Sequence, residues 1–184
     1  MGKWFHWTIA AVILVQIPLG FYARRVREQM LATMDLSQID QVVGLFNWHK
    51  SIGITVFLLM LARLIWRLST KAPPLVPMAP VLAFGARALQ WMFYLAVFGL
   101  FVSGYILNEA AAHNIDFFWI VEIPLFFEIE EAAETLAKLA HKTVAFSLIG
   151  FVLLHTGAAL YHHFHLRDET LIGMLPSWRG AKQE

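Results

Sequence analysis

The chain has 184 residues, 59% of them hydrophobic and 15% charged, with a formal net charge of +1 and no cysteine. Soluble domains carry about 25% charge, so this composition, with a mean hydropathy of +0.61, belongs to a membrane protein. The missing cysteines exclude disulfides, iron–sulfur clusters, thiolate zinc sites and covalently attached c-type haem. The near-neutral charge makes no electrostatic case for nucleic acid.

Runs of about 18 or more apolar residues are long enough to cross a bilayer, and four are present, at about 4–22, 45–68, 81–107 and 137–164. The expected fold is an all-α integral membrane protein, one domain over 1–184, built as a four-transmembrane-helix bundle in contact with membrane lipid.

The first run, Trp4 to Tyr22, follows Lys3 and has the position of a signal peptide. It is long for a signal h-region, and its end, PLGFYARR, offers no small-residue cleavage site. We read it as a retained span, which keeps His6 in the protein. The second run opens on NWHK, with His49 and Lys50, and closes on Arg63 and Arg67. The connector KAPPLVPMAP that follows reads as a stiff polyproline-like segment. The third run, Val81 to Leu107, contains Gln90. The segment after it, Asn108 to Leu136, is acidic and contains DFFWIVEIPLFFEIEE. Apolar anchors in such a loop fit a cap on the membrane surface or a docking site. The fourth run contains HKTVAFSLIGFVLLH, and a short polar tail begins at Arg167. Trp4, Trp7, Trp48, Trp66 and Trp119 fall near span ends, where an aromatic belt belongs.

Four spans put both termini on one side. With the N terminus inside, eight of the 14 Lys and Arg lie inside and six outside, which favours cytoplasmic termini. Arg24, Arg25 and Arg27 run against that assignment.

Ionisable residues inside a span point to function. Of the eight histidines, His163 and His165 suit the headgroup region, and His113 lies in the acidic loop with no pattern behind it. His155 sits about 13 Å from the end of its span at 1.5 Å per residue. His141 is fourteen positions earlier, about 40° short of four full turns, so the two imidazoles share one face about 21 Å apart. Spans two and four run in the same direction, which brings His49 level with His141. Span one runs the other way relative to them, bringing His6 towards the level of His155. The result is two pairs, His49–His141 outside and His6–His155 inside, although His6 lies nearer its span's end than His155 does.

Zinc normally takes four ligands, and di-iron centres need carboxylates within the spans. Haem needs one or two axial ligands and an apolar slot. Two bis-histidine haems b are therefore the economical reading, and filled axial positions favour electron transfer over oxygen activation. Gly53, Gly99, Ser103, Gly104, Ser147, Gly150 and Gly157 would admit planar macrocycles, or serve ordinary helix contacts. Arg63 and Arg67 are candidates for haem propionates and equally for positive-inside anchors. Lys50 and Lys142 each follow an outer histidine. They are candidates to hold propionates or guide an anion, or simply snorkel. A haem-free transporter built on a histidine ladder is the reading from another class.

NWHKSIGITVFLLMLARLIWRL at 47–68, APPLVP, HHFHLRDETLIGML at 162–175, FHW at 5–7 and the HKTVAF…LLH stretch resemble the bacterial cytochrome b561 family, in the family's order and over nearly the whole chain. The resemblance implies a bacterial inner-membrane protein with two haems b held by His6, His49, His141 and His155. It also implies one of two activities. The first is oxidation of superoxide at the periplasmic face with reduction of ubiquinone at the cytoplasmic side. The second is electron exchange between quinone and a periplasmic redox protein. His162 lies two turns after His155 on about the same face and is the candidate to meet a quinone carbonyl, with Arg67 or Lys71 as alternatives. Two features depart from the family. Gln90, in QWMFY, stands where members often carry histidine. The acidic outer loop suits a basic protein donor better than an anion funnel. The oligomeric state stays open, a homodimer included.

Overall fold

The computed structural model describes residues 2–70 and 78–176; most of the Pro-rich connector, with Lys71, and the end of the polar tail lie outside the described residues. Four long helices dominate: α1 (Gly2–Thr33), α2 (Ile39–Ser69), α3 (Pro80–Ala110) and α4 (Glu131–Tyr161). Each is long and apolar enough to cross a membrane. They alternate in direction, so the start of α1, the end of α2, the start of α3 and the end of α4 share one end of the bundle. We call it the terminal end, and the opposite one the hairpin end.

A helix of 31 or 32 residues is about 47 Å long, whereas the hydrocarbon core is about 30 Å thick. The helices therefore overrun the expected spans. In α1 the overrun is Ala23 to Thr33, where Ala23, Val26 and Met30 are buried between exposed Arg24, Arg25 and Arg27. Spacings of three and four residues place those three on one face. Val26 and Met30 pack with Val42, Leu45 and Phe46 of α2. The apolar run ends at Tyr22 because the stripe beyond it is amphipathic, but the helix continues.

The central core draws on all four helices: Ile9 and Ile13, Val56 and Met60, Ala96 and Val97, and Leu148. Large residues such as Leu14, Leu58, Leu95 and Leu153 stay exposed on the outer surface, as a lipid-facing surface requires. α1 lies along α2, and α3 along α4, while α2 and α3 join the two pairs. Between α1 and α4 lies an apolar cavity of about 220 Å³, lined by Leu14, Ile17 and Pro18 on one side and Ile149, Val152 and Leu153 on the other.

The 108–136 segment is more ordered than a surface-lying cap. It forms an antiparallel hairpin, β1 (Ile115–Phe117) with β2 (Val121–Ile123), in the register Ile115↔Ile123 and Phe117↔Val121. Ser51 of α2, fully buried, accepts from Phe118 N–H at 2.9 Å and donates to Asp116 O at 3.4 Å. The Trp48 ring meets Phe118 and Trp119 edge-on, with centroids 5.6 and 5.3 Å away. At the end of α3, the buried Glu109 carboxylate accepts from the N–H groups of Phe126 and Phe127 at 3.1 Å. The loop is thus clamped at both ends by side chains of the bundle.

Candidate functional site

The histidines meet in pairs. His6 of α1 and His155 of α4 have ring centroids 5.9 Å apart at an interplanar angle of 71°. His49 of α2 and His141 of α4 have centroids 6.4 Å apart at 67°. The first pair lies at the terminal end and the second at the hairpin end, fourteen residues of α4 separating them, about 21 Å. The level mismatch expected for His6 and His155 resolves because α4 runs on, through a π segment, to Leu166. His155 is well inside α4, whereas His6 lies four residues from the start of α1.

A metal–imidazole bond is about 2 Å long, so imidazoles on opposite sides of one iron have ring centres about 6 Å apart. Both observed separations fit a bis-histidine haem. Two further observations concern fit. A Cβ at Gly20 of α1 would lie 2.7 Å from His49 Cε1, and one at Gly104 of α3 would lie 3.3 Å from His141 Cε1. Both glycines thus clear space for an imidazole. The cavity between α1 and α4 lies at the depth between the two pairs and is apolar, as a porphyrin face requires.

The surroundings of each ring differ. Ser103 of α3 donates its hydroxyl to Gly99 O at 2.6 Å, and its oxygen lies 3.1 Å from His141 Nδ1. It therefore accepts Nδ1–H and leaves Nε2 free to bind metal, the arrangement that usually orients a ligating imidazole. His49 Nδ1 is buried with no partner. Beside it Gln16 of α1 donates to His49 O at 2.9 Å, with its own Oε1 buried and unpartnered. At the terminal end, Arg63 Nη1 lies 3.2 Å from His6 Nδ1. A guanidinium only donates. Ligation by His6 through Nε2, which leaves a proton on Nδ1, therefore requires Arg63 to turn away. Phe93 packs edge-on against His155 at 5.6 Å.

The remaining candidates are placed as follows. Arg67 stacks over Trp91, 5.6 Å from the ring centre. Lys50 is half-buried and faces Asp116 of the hairpin, while Lys142 is exposed. His162 lies 2.5 Å from Asp168. Gln90 is half-buried. Of the small residues, Gly104 backs an imidazole, Gly99 meets Val144, Gly53 meets Gln16, and Gly150 and Gly157 face open space. The sequence reading passed over Gln16 and Gly20. Gln16 interrupts an otherwise apolar run, which is a usable signal; Gly20 sits in PLG, which reads as a span end. Among the described residues, no three His, Cys, Asp or Glu gather as a metal cage.

Comparison with known proteins is consistent with this geometry. The family described as Prokaryotic cytochrome b561 matches residues 3–177. Cytochrome b561 homolog 2 of Escherichia coli (strain K12) is 30% identical over 176 residues, covering 93% of this chain and 87% of its own length. The "Probable superoxide oxidase CybB" of Yersinia pestis is 34% identical over 137 residues, 72% of this chain and 75% of the relative. Cytochrome b561 homolog 1 of Escherichia coli (strain K12) is 33% identical over 131 residues, 70% and 73%.

Proposed function

The chain belongs to the prokaryotic cytochrome b561 family, and from that premise we propose that it moves electrons across the bacterial inner membrane from superoxide to ubiquinone. Family membership makes it a membrane-spanning, haem b-binding electron-transfer protein. The finer reading has two haems b, one held by His49 and His141 at a periplasmic hairpin end, the other by His6 and His155 at a cytoplasmic terminal end. The observation that carries it is the stacking of two imidazole pairs, with centroids 5.9 and 6.4 Å apart, at two depths of one bundle.

Haem b, when bound, supplies one-electron chemistry. The chain's own residues hold and orient. Ser103 fixes the tautomer of His141, Gly20 and Gly104 make room for the outer rings, and Phe93 packs edge-on against His155. Arg63, once turned from His6, and Arg67 are candidates for propionates at the terminal end, and Lys50 and Lys142 at the hairpin end. In the overall reaction two superoxide anions lose one electron each and leave as dioxygen, and ubiquinone gains two electrons and two protons. Superoxide as donor is supported by the similarity to the Yersinia pestis protein, whose name carries that activity.

Stopped-flow mixing of the oxidised protein with superoxide tests this. Haem reduction far faster than with generic reductants is the expected result. Reduction no faster than those reductants would discard superoxide as the donor. A second reading, with a basic periplasmic redox protein as partner, is favoured by the exposed acidic residues Asp116, Glu122, Glu128, Glu130 and Glu131 at the hairpin end. It predicts haem reduction by a reduced basic carrier protein with steep salt dependence and indifference to superoxide.

A further inference from the structure

Gln16 is the one amide in the apolar run of α1, and a span accommodates such a group only where its polar atoms find partners. It sits beside the hairpin-end pair, held in α2 by a reciprocal fit. Gln16 and Gly20 are four residues apart on α1, and His49 and Gly53 four apart on α2, so each couple shares one helix face. A Cβ at Gly53 would lie 3.2 Å from Gln16 Nε2, and one at Gly20 would lie 2.7 Å from His49 Cε1. Each long side chain thus fills the room that a glycine of the other helix leaves. The Gln16 amide donates to His49 O at 2.9 Å, and its nitrogen lies 3.5 Å from His49 Nε2. Two complementary atoms are left over: Gln16 Oε1 and His49 Nδ1 are both buried without a partner. The first is an acceptor, and the second carries a proton whenever Nε2 binds metal. Among the described residues, the other buried side-chain atoms in that condition are Asn47 Nδ2, a donor, and Asn108 Oδ1. Asn108 is tied by its amide nitrogen to His113 O, at 2.9 Å, whereas Gln16 already touches His49.

We infer, on the two-haem reading above, that Gln16 is the positioning residue of His49, its Oε1 accepting Nδ1–H when Nε2 ligates iron, as Ser103 does for His141. A ligating imidazole almost always gives its second N–H to an acceptor, which orients the ring and raises its basicity. The Nδ1–Cε1 edge of His49 now faces Gly20, and Nε2 faces an amide that donates. A half-turn of the ring about Cβ–Cγ meets both needs. It exchanges Nε2 with Cε1, on the side that Gly20 leaves open, and Nδ1 with Cδ2, on the side of the amide. The hairpin-end site then draws on all four helices: Gln16 from α1, His49 from α2, Ser103 from α3 and His141 from α4. Both supporting groups are uncharged, whereas the terminal-end pair has the Arg63 guanidinium beside His6. A more basic ligand favours ferric over ferrous iron, so Gln16 lowers the potential of the hairpin-end haem. A cation disfavours the ferric state, so Arg63 raises that of the other. Electrons run from the lower potential to the higher, here from the hairpin end towards the terminal end.

The test uses the full-length haem-loaded protein, followed by redox titration, by electron paramagnetic resonance of the oxidised haems and by haem titration into the apoprotein. The hairpin-end haem is assigned as the component missing from His141→Ala. Gln16→Met and Gln16→Leu both remove the acceptor within a similar volume, so either serves if the other does not accumulate. The expected result is an upward shift of the hairpin-end midpoint potential and a displaced low-spin signal from that haem, with the terminal-end haem unmoved. Haem affinity at the hairpin end should fall about 10–100-fold. Gln16→Glu presents an acceptor oxygen whether or not it is protonated, and is expected to return the potential to the wild-type value or below it. A hairpin-end potential and signal unchanged in Gln16→Met or Gln16→Leu overturn the assignment of Gln16 while leaving the two haems intact. Equal haem loss in all three variants, Gln16→Glu included, makes Gln16 a packing residue and overturns it as well. Wild-type protein from haem-replete cells that shows no Soret band overturns the haem reading, and the role of Gln16 with it.

Discussion

At the scale of single residues, the two imidazole pairs depend on neighbours that hold little volume or one hydrogen bond. Gly20→Ala sets a Cβ 2.7 Å from the tip of the His49 ring, which must turn out of its present position. On the proposed di-haem reading, the expected result is loss of the hairpin-end haem with the other retained, read as a halved haem-to-protein ratio and a simplified reduced-minus-oxidised spectrum. Ser103→Ala removes the acceptor for His141 Nδ1–H. Loss of such an orienting partner typically costs about 10–100-fold in metal affinity, to be measured by haem titration into the apoprotein. Asp168 supplies a pH signature of its own. Its pKa is lowered from 3.8 to about 2, so its contribution to the C-terminal turn is complete above pH 3.8 and lost as pH falls through about 2. Hydrogen exchange over 168–175 should accelerate across that window, and Asp168→Asn should abolish the pH dependence.

At the scale of elements, one hydroxyl, that of Ser51, ties the turn of the hairpin to α2. Ser51→Ala leaves the Phe118 N–H without its acceptor, at a cost of about 1–3 kcal/mol. Local opening of 115–123 should speed up roughly five- to 150-fold by hydrogen exchange, while the helices exchange as before. The four helices themselves are legible in the sequence because each carries an apolar run long enough to cross the bilayer. Their ends are not, because Ala23, Val26 and Met30 form a stripe that a run-based reading treats as polar. The hairpin was hidden too. Phe118 and Trp119 occupy positive φ, 50° and 58°, where glycine or asparagine normally signals a turn. The histidine pairs were legible from the 14-residue spacing and the alternating helix directions, since both follow from rigid helix geometry. The contact of Asp168 with His162 was not, because six residues of regular helix would carry it to the wrong face.

At the scale of the whole molecule, the proposed di-haem reading, with two histidine pairs that each take one member from α4, predicts separable losses. His49→Ala or His141→Ala should remove one haem, and His6→Ala or His155→Ala the other, each scored by haem content and redox titration of the remaining centre. A single substitution that empties both sites in a folded bundle would contradict the pairing. The way α1 and α4 meet carries a further consequence. The chain is two helical hairpins, α1–α2 and α3–α4, that close on each other like the covers of a book, and His6–His155 and the α1–α4 cavity lie along the fore-edge. A ligand that binds only the closed form stabilises closure by mass action. Cofactor supply should therefore govern assembly as well as chemistry. Under haem starvation the protein should insert as two intact leaves with an open seam. A disulfide-trapping pair of cysteines at Leu14 and Leu153 should then cross-link less often than in haem-replete cells.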